Sequence, residues 1–222
     1  DRLVVKGSTG EQMVQIESAL DRVTWEIAQN LQESKLLVVW LLDGSGSLKT
    51  QRDAVAKRLR RIYGELGALE NTSTIPRHEK GLLSSVVMFG EKTNFIVKPT
   101  DKFEDVQEGI ANLPTDSSGV ENVFTAVKQT VNLWSSYRSE QHRRIMLITI
   151  TDEAGDDFGK PHLEAIAICR RFGAKVYVIG PTAPFGQRRG FVPYVAPENG
   201  KTYQIPIDLG PEAAMAENVS LP

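Results

Sequence analysis

Between an apolar run and a helical stripe the sequence reads LLDGSGSLKT, residues 41–50, and sets an aspartate and two serines on alternate positions. Oxygen donors at Asp43, Ser45 and Ser47 suit three chemistries: cradling a phosphate, attacking one, or holding a hard metal ion. A phosphate cradle of the form GxxxxGK[ST] needs a glycine just before the lysine, so that successive backbone N–H groups can wrap the anion. Here Leu48 precedes Lys49 and Thr50. That chemistry is set aside.

Attack on a phosphate would make Asp43 a nucleophile at a strand end, with a metal shielding the phosphate charge. In this the loop resembles the haloacid dehalogenase-like phosphohydrolases, whose DxD signature carries a general acid two residues after the nucleophile. The GDD run at 155–157 imitates their later acidic motif. Ser45 stands where the acid belongs, and a hydroxyl cannot protonate a leaving group as a carboxylic acid does. A Mg²⁺-dependent aspartyl-phosphate phosphohydrolase is therefore the alternative reading.

The third chemistry matches more residues. DGSGS after a buried strand resembles the DxSxS motif of von Willebrand factor type A domains, the family that includes the integrin I domains, at Asp43, Ser45 and Ser47. The resemblance implies that both serine hydroxyls coordinate a divalent cation, Mg²⁺ first and Ca²⁺ or Mn²⁺ as alternatives. It also implies that a second strand-end aspartate, Asp152 of ITITDE, completes the site. The likeness runs over roughly residues 34–210. A hard cation takes oxygen ligands and keeps waters, so two hydroxyls and two carboxylates leave positions vacant for another molecule. In the family a partner's Glu or Asp fills such a position, which implies a metal-ion-dependent adhesion site and a protein partner rather than catalysis. Read blandly, DGSGS is a solvated helix cap, but capping does not call for a second carboxylate at a distant strand end.

One ligand departs from the pattern. The family's threonine sits in a loop just before a helix, and the corresponding DSSGVENVFTAV has none in the slot. Aligning the helix by Ala126 and Val127 puts Glu121 there; a shift of one residue offers Asn122, and Ser117 or Ser118 could supply a hydroxyl from further back. Glu121 could instead be a first-turn glutamate favoured by the helix dipole. If it faces the metal, three carboxylates (Asp43, Asp152, Glu121) around one dication leave a net charge of about −1, which opposes an acidic visitor. Glu121 then serves as an internal ligand, or selects Ca²⁺ or a neutral or basic partner. A degenerate, empty site in a structural domain is the remaining possibility.

These residues need a scaffold that brings strand ends together. Met13, Ile16, Leu20, Val23, Ile27 and Leu31 mark an amphipathic helix over 11–33, and KLLVVWLL is a strand apolar enough to be covered on both faces. Val55, Leu59, Ile62, Leu66 and Leu69 mark a second helix, GLLSSVVMFG a second strand, and NFIVK a hairpin partner ending at Pro99. Helices are expected over 101–112, from Val120 to about Tyr137, and over 161–172 with Gly173 as the stop. RRIMLITITD and AKVYVIG are further buried strands. PTAPFGQRRGFVP reads as a long loop, YVAPENGKTYQIPI as two short strands around ENGK, and GPEAAMAENVSLP as a short last helix. Strands alternating with helices predict a Rossmann-like α/β fold: a mostly parallel sheet with one antiparallel edge strand, helices on both faces, and ligands at the carboxyl ends of the strands. The division expected is an amino-terminal extension, 1–33, and a domain from 34 to 222 that includes the carboxyl-terminal hairpin. The extension's apolar stripe needs cover and is expected to pack on the sheet.

Bulk properties narrow the partners. With 26 Lys and Arg against 28 Asp and Glu, the formal charge of −2 provides no field to gather nucleic acid. The run Lys57, Arg58, Arg60, Arg61 is a solvated helix face, while Arg188 and Arg189 are candidates for a partner contact. A single cysteine, Cys169, excludes an internal disulfide and any CxxC site, and it reads as a small core residue. His78, His142 and His162 lack metal-ligand spacing and are expected on the surface. No apolar run approaches the roughly 18 residues that span a bilayer. The chain starts without methionine, so targeting segments are expected outside it, with a lean toward an extracellular or envelope protein.

Overall fold

A computed structural model describes residues 16–72, 81–153, 155–180, 189–197 and 199–208. In chain order the elements are α1 (Ile16–Glu33), β1 (Leu36–Asp43), α2 (Lys49–Thr72), β2 (Leu82–Phe89), β3 (Asn94–Thr100), α3 (Phe103–Ala111), α4 (Val123–Leu133), α5 (Ser135–Ser139), β4 (Arg144–Ile150), α6 (Lys160–Phe172), β5 (Lys175–Ile179), β6 (Arg189–Val195) and β7 (Thr202–Asp208). Five strands form one sheet in the order β3-β2-β1-β4-β5, parallel except for the antiparallel β2–β3 edge pair. β6 and β7 form a separate antiparallel pair.

β1 is central, and every residue in it is buried. Its alternating side chains feed two cores. Val38, Trp40 and Leu42 join Val55, Leu59 and Ile62 of α2 with Val106 and Ile110 of α3, while Leu37, Val39 and Leu41 join Val123, Val127 and Val131 of α4. Period-two strands thus meet period-3.6 helices on both faces. β1 is also where the chain reverses its direction of growth, sending β2 to one side and β4 to the other. The loops leaving β1 and β4 diverge there, and such a crevice is where α/β sheets take ligands.

α1 completes the first core. Leu20, Val23 and Ile27 are at most 4% exposed and pack with Val38 and Met146. Burying such side chains contributes roughly 1.5–3 kcal/mol each. The Asp21–Arg58 ion pair that also joins α1 to α2 is half exposed on the aspartate side, and an exposed pair contributes only about 0–1 kcal/mol. Apolar contact therefore docks the helix.

Several expected boundaries shift. The stripe called helical over 11–33 is helical from Ile16, with 11–15 outside the described residues. β3 runs through Pro99 to Thr100 instead of ending at the proline. The strand is an edge whose pairing with β2 slips between Ser84 and Val86, and a missing N–H is tolerated at such a place. The single helix expected from Val120 to Tyr137 starts at Val123 and is broken at Trp134, whose ring is buried among Leu37-side core residues and packs edge-on to Phe95. β6 begins at Arg189, within the stretch read as loop, because its ladder with β7 continues from Val195 back to that residue. Gly173 ends α6 in the left-handed conformation, φ 62°, and Ala174 N–H closes on the carbonyl of Cys169 at 2.9 Å. The short helix expected at the carboxyl terminus lies outside the described residues, as do His78 and the side chains of Arg188 and Arg189.

Candidate metal centre

Asp43 is the last residue of β1 and is fully buried. Its Oδ1 accepts the Ser45 N–H at 2.8 Å and its Oδ2 accepts the Thr151 hydroxyl at 2.8 Å. The carboxylate therefore ties the β1 loop to the end of β4. Burial pushes the Asp43 carboxyl above its ordinary range, the bonds from Ser45 and Thr151 oppose the rise, and the charge of Asp152 adds to it. A buried Arg52 clamps the same turn from α2, donating to the main-chain carbonyls of Asp43 at 2.7 Å and Ser45 at 2.6 Å.

With the turn fixed, Ser45 and Ser47 point together, their hydroxyls 3.0 Å apart. The Ser47 hydroxyl donates to Asp152 Oδ2 at 3.2 Å, and Asp152 Oδ1 is buried with no hydrogen-bond partner. Ser45, Gly46, Ser47, Asp116, Ser117, Gly119, Glu121, Asp152 and Glu153 line one cleft of about 410 Å³ at the carboxyl end of the sheet. Four of those nine residues are acidic, so the cleft favours positive charge. Asp43, fully buried, does not line it.

The far wall comes from the loop before α4. Asp116 N–H donates to Gly44 O at 2.8 Å, and the Asp116 carboxylate accepts Ser118 N–H at 2.7 Å and Glu91 N–H at 3.2 Å; the Ser118 side chain first, then these N–H groups, hold its carboxyl below the usual range. Gly90 makes room for it: a Cβ there would lie 2.1 Å from Asp116 Oδ2.

The candidates for the threonine slot separate. Glu121 is 5% exposed and lines the cleft. It precedes α4, so it is not a first-turn glutamate serving the helix dipole; Asp157 does that work, accepting Phe124 N–H at 3.1 Å and Thr125 N–H at 2.6 Å. Asn122 is drawn away to the carbonyl of Glu91 at 2.9 Å, and Ser118 is engaged with Val120 N–H at 3.2 Å. Ser117 is exposed on the cleft wall.

Glu121 does not stand alone. Its carboxyl faces that of Glu153, and together with Asp156 they offer oxygens within 4.8 Å of one another. Burial is the main cause that pushes both glutamates above the carboxylate range, and the charge of Asp43 adds to the rise at each. Thr151, Glu153, Asp116 and Arg52 were not singled out from sequence. TDE at a strand end was the available signal for Glu153, whereas Arg52 lies before the basic run 57–61 and carried no local signal.

The remaining singled-out residues take no part in the cleft. His142 is exposed, but His162 is half-buried, stacked on Phe158 at 4.6 Å and edge-on to Phe124 at 4.8 Å, so the surface position expected for it is corrected. Cys169 packs half-buried against the α4-side core. Lys57, Arg60 and Arg61 are exposed, as a solvated face requires, but Arg58 of the same run is half-buried and paired with Asp21 of α1, so the solvated position expected for it is corrected. No helix of the described residues is long and apolar enough to cross a membrane.

The family model for the von Willebrand factor type A domain matches residues 38–189, and the chain belongs to that family. Two crystal structures of proximal thread matrix protein 1 from the mussel byssus, one described as having a zinc-occupied MIDAS motif, are similar at 18% identity and a TM-score of 0.46. Each likeness covers 66% of this chain and 38% of the mussel protein's. No curated protein matches the chain significantly.

Proposed function

We propose that this domain is a divalent-cation-dependent protein-binding module with no catalysis of its own. The observation that carries the proposal is the convergence of Ser45, Ser47 and Asp152, with Asp152 Oδ1 buried and left without a partner. A buried carboxylate oxygen without a donor is costly, and a hard cation with hydroxyl and carboxylate ligands is the chemistry that satisfies it. Ser45, Ser47 and Asp152 would hold Mg²⁺, with Asp43 fixing the loop from below and Glu121 at the cleft wall; Ca²⁺ and Mn²⁺ fit the same donors. When bound, the ion supplies a Lewis-acidic position for an oxygen of the partner, an acidic side chain in the first instance.

The phosphohydrolase alternative is disfavoured by Asp43. Its side chain is fully buried with both oxygens engaged, and Ser45 takes the position of a general acid, so neither nucleophile nor acid reaches the cleft.

The test is calorimetric titration of the chelator-stripped chain with Mg²⁺ and Mn²⁺, alongside Ser47→Ala and Asp152→Asn. Binding that both variants weaken, together with Mg²⁺-dependent capture of a glutamate-bearing peptide but not its amide counterpart, is the expected result. Unaltered ion binding in both variants overturns the reading.

A further inference from the structure

We propose that Glu121, Glu153 and Asp156 form a second divalent-cation site of calcium type, beside the Ser45–Ser47–Asp152 centre in the same acidic cleft. The proposal goes beyond the protein-binding reading and does not require an ion at that centre. Among the described residues these three acidic side chains place one oxygen each within 4.8 Å of the others. Ligands on opposite sides of Ca²⁺, each at about 2.4 Å, lie about 4.8 Å apart, so oxygens no further than this from one another can share a single ion.

A knot of carboxylates alone would not make a site, but two oxygens here point to a ligand. Glu121 and Glu153 are each 5% exposed, and Glu121 Oε2 and Glu153 Oε2 are buried with no hydrogen-bond partner. A contact between the two carboxyls leaves those atoms still without donors, in a cleft whose other walls, Asp116 and Asp152, repel more negative charge. Desolvated carboxylate oxygens facing each other are unfavourable until a cation lies among them.

The backbone holds the three in place. Glu121 N–H donates to Asp156 Oδ2 at 2.9 Å, and Asp156 N–H returns a bond to the Glu121 carbonyl at 2.9 Å. Glu153 N–H donates to the Thr151 hydroxyl at 3.2 Å. Gly155 turns the chain between them with φ 85°, where a Cβ would meet Val123 Cγ1 at 2.5 Å. Charge favours two ions over one. Asp43, Asp116, Glu121, Asp152, Glu153 and Asp156 crowd this end of the sheet, and a single dication leaves the cleft too negative for an acidic partner, whereas a second one lowers that opposition.

The experiment is calorimetric titration of the chelator-stripped chain with CaCl₂, comparing wild type, Asp152→Asn and Glu153→Gln, with melting followed at each step. Two ions in wild type and one in each variant, the surviving site differing between them, is the expected result; Glu153→Gln should weaken its own site about tenfold or more. Glu153→Asp, which keeps the charge but withdraws the oxygen, should reproduce that loss if Glu153→Gln folds poorly. Ion binding unchanged in both Glu153 variants overturns this proposal while leaving the Ser45–Ser47–Asp152 reading intact. A single ion lost with Glu153→Gln but kept in Asp152→Asn supports this proposal and overturns the other. Absence of any Ca²⁺ binding at millimolar concentration overturns it outright.

Discussion

Arg52 and Asp43 lie nine residues apart, and the Arg52 guanidinium donates to the Asp43 main-chain carbonyl at 2.7 Å from a position only 3% exposed. The same Nη1 reaches the Ser45 carbonyl at 2.6 Å. A buried cation thus shapes an anionic loop through its backbone, leaving the carboxylate and hydroxyls for other partners. Arg52→Met keeps much of the volume but strands two carbonyls, at a cost of about 3 kcal/mol. Urea unfolding measures that loss, and Mg²⁺ affinity should fall with it because Ser45 and Ser47 lose their common direction. Arg52→Lys, with one point charge in place of a planar fork, should lie between the two.

Gly180, just past β5, controls the other loop. A Cβ there would come within 1.9 Å of the Thr151 carbonyl oxygen, and backbone cannot yield as a side-chain tip can. Gly180→Ala should cost at least about 2 kcal/mol and loosen the Thr151–Asp43 bond, so that ion affinity drops along with stability. Gly64 on α2 is the contrast, since nothing lies within 4 Å of its added Cβ. Gly64→Ala in a helix interior should stabilise by about 0.5–1 kcal/mol. Paired denaturation curves for the two variants decide it.

The strand-end aspartates were legible because buried strands announce themselves as continuous apolar runs, and Asp43 and Asp152 each close one. DGSGS was legible because few chemistries want hydroxyls at that spacing. Thr151 and Arg52 were not, since their work is done through hydrogen bonds to a carboxylate and to carbonyls 108 and nine residues away, which no local pattern encodes. Asp156 and Asp157 read as an imitation of a phosphatase motif and turn out to fasten the approach to α4 through Glu121, Phe124 and Thr125 N–H groups. The break at Trp134 escaped periodicity because Val131 and Trp134 keep the helical spacing across it.

α1 provides a packing test. Ile27 is 1% exposed within the Trp40 core, whereas Trp25 on the same helix is 59% exposed. Ile27→Ala should cost about 2–5 kcal/mol, and Trp25→Ala should stay within about 0.5 kcal/mol of wild type. Equal melting of the two variants would mean that α1 is not docked on the sheet.

Cys169 should be slow to react. Burial pushes its thiol up to about 11, and the thiolate is the reactive form. Against an ordinary pKa of about 8.5, the thiolate fraction at pH 8 falls by roughly two orders of magnitude. Alkylation by iodoacetamide in the folded chain should therefore be about a hundredfold slower than in urea at that pH, and should climb about tenfold per pH unit until near 11. A rate that levels off near pH 9 would contradict the shift.

If the cleft binds a protein partner as proposed, Glu121 should set what it accepts. Its carboxylate joins those of Asp116 and Asp152 on the walls, so an acidic peptide approaching an ion at Ser45–Ser47–Asp152 meets opposition. Glu121→Thr removes that charge and puts a hydroxyl where the family places its threonine. Capture of a glutamate-bearing peptide in Mg²⁺ should then strengthen by about tenfold, one like charge opposing at close range being worth about 1–2 kcal/mol at the effective dielectric of a partly buried cleft. Salt resolves the cause: the advantage of Glu121→Thr should shrink as ionic strength rises if repulsion is at work, and persist if the new hydroxyl is a ligand. No change in either Mg²⁺ or peptide binding would mean that Glu121 has no part in the cleft's selectivity.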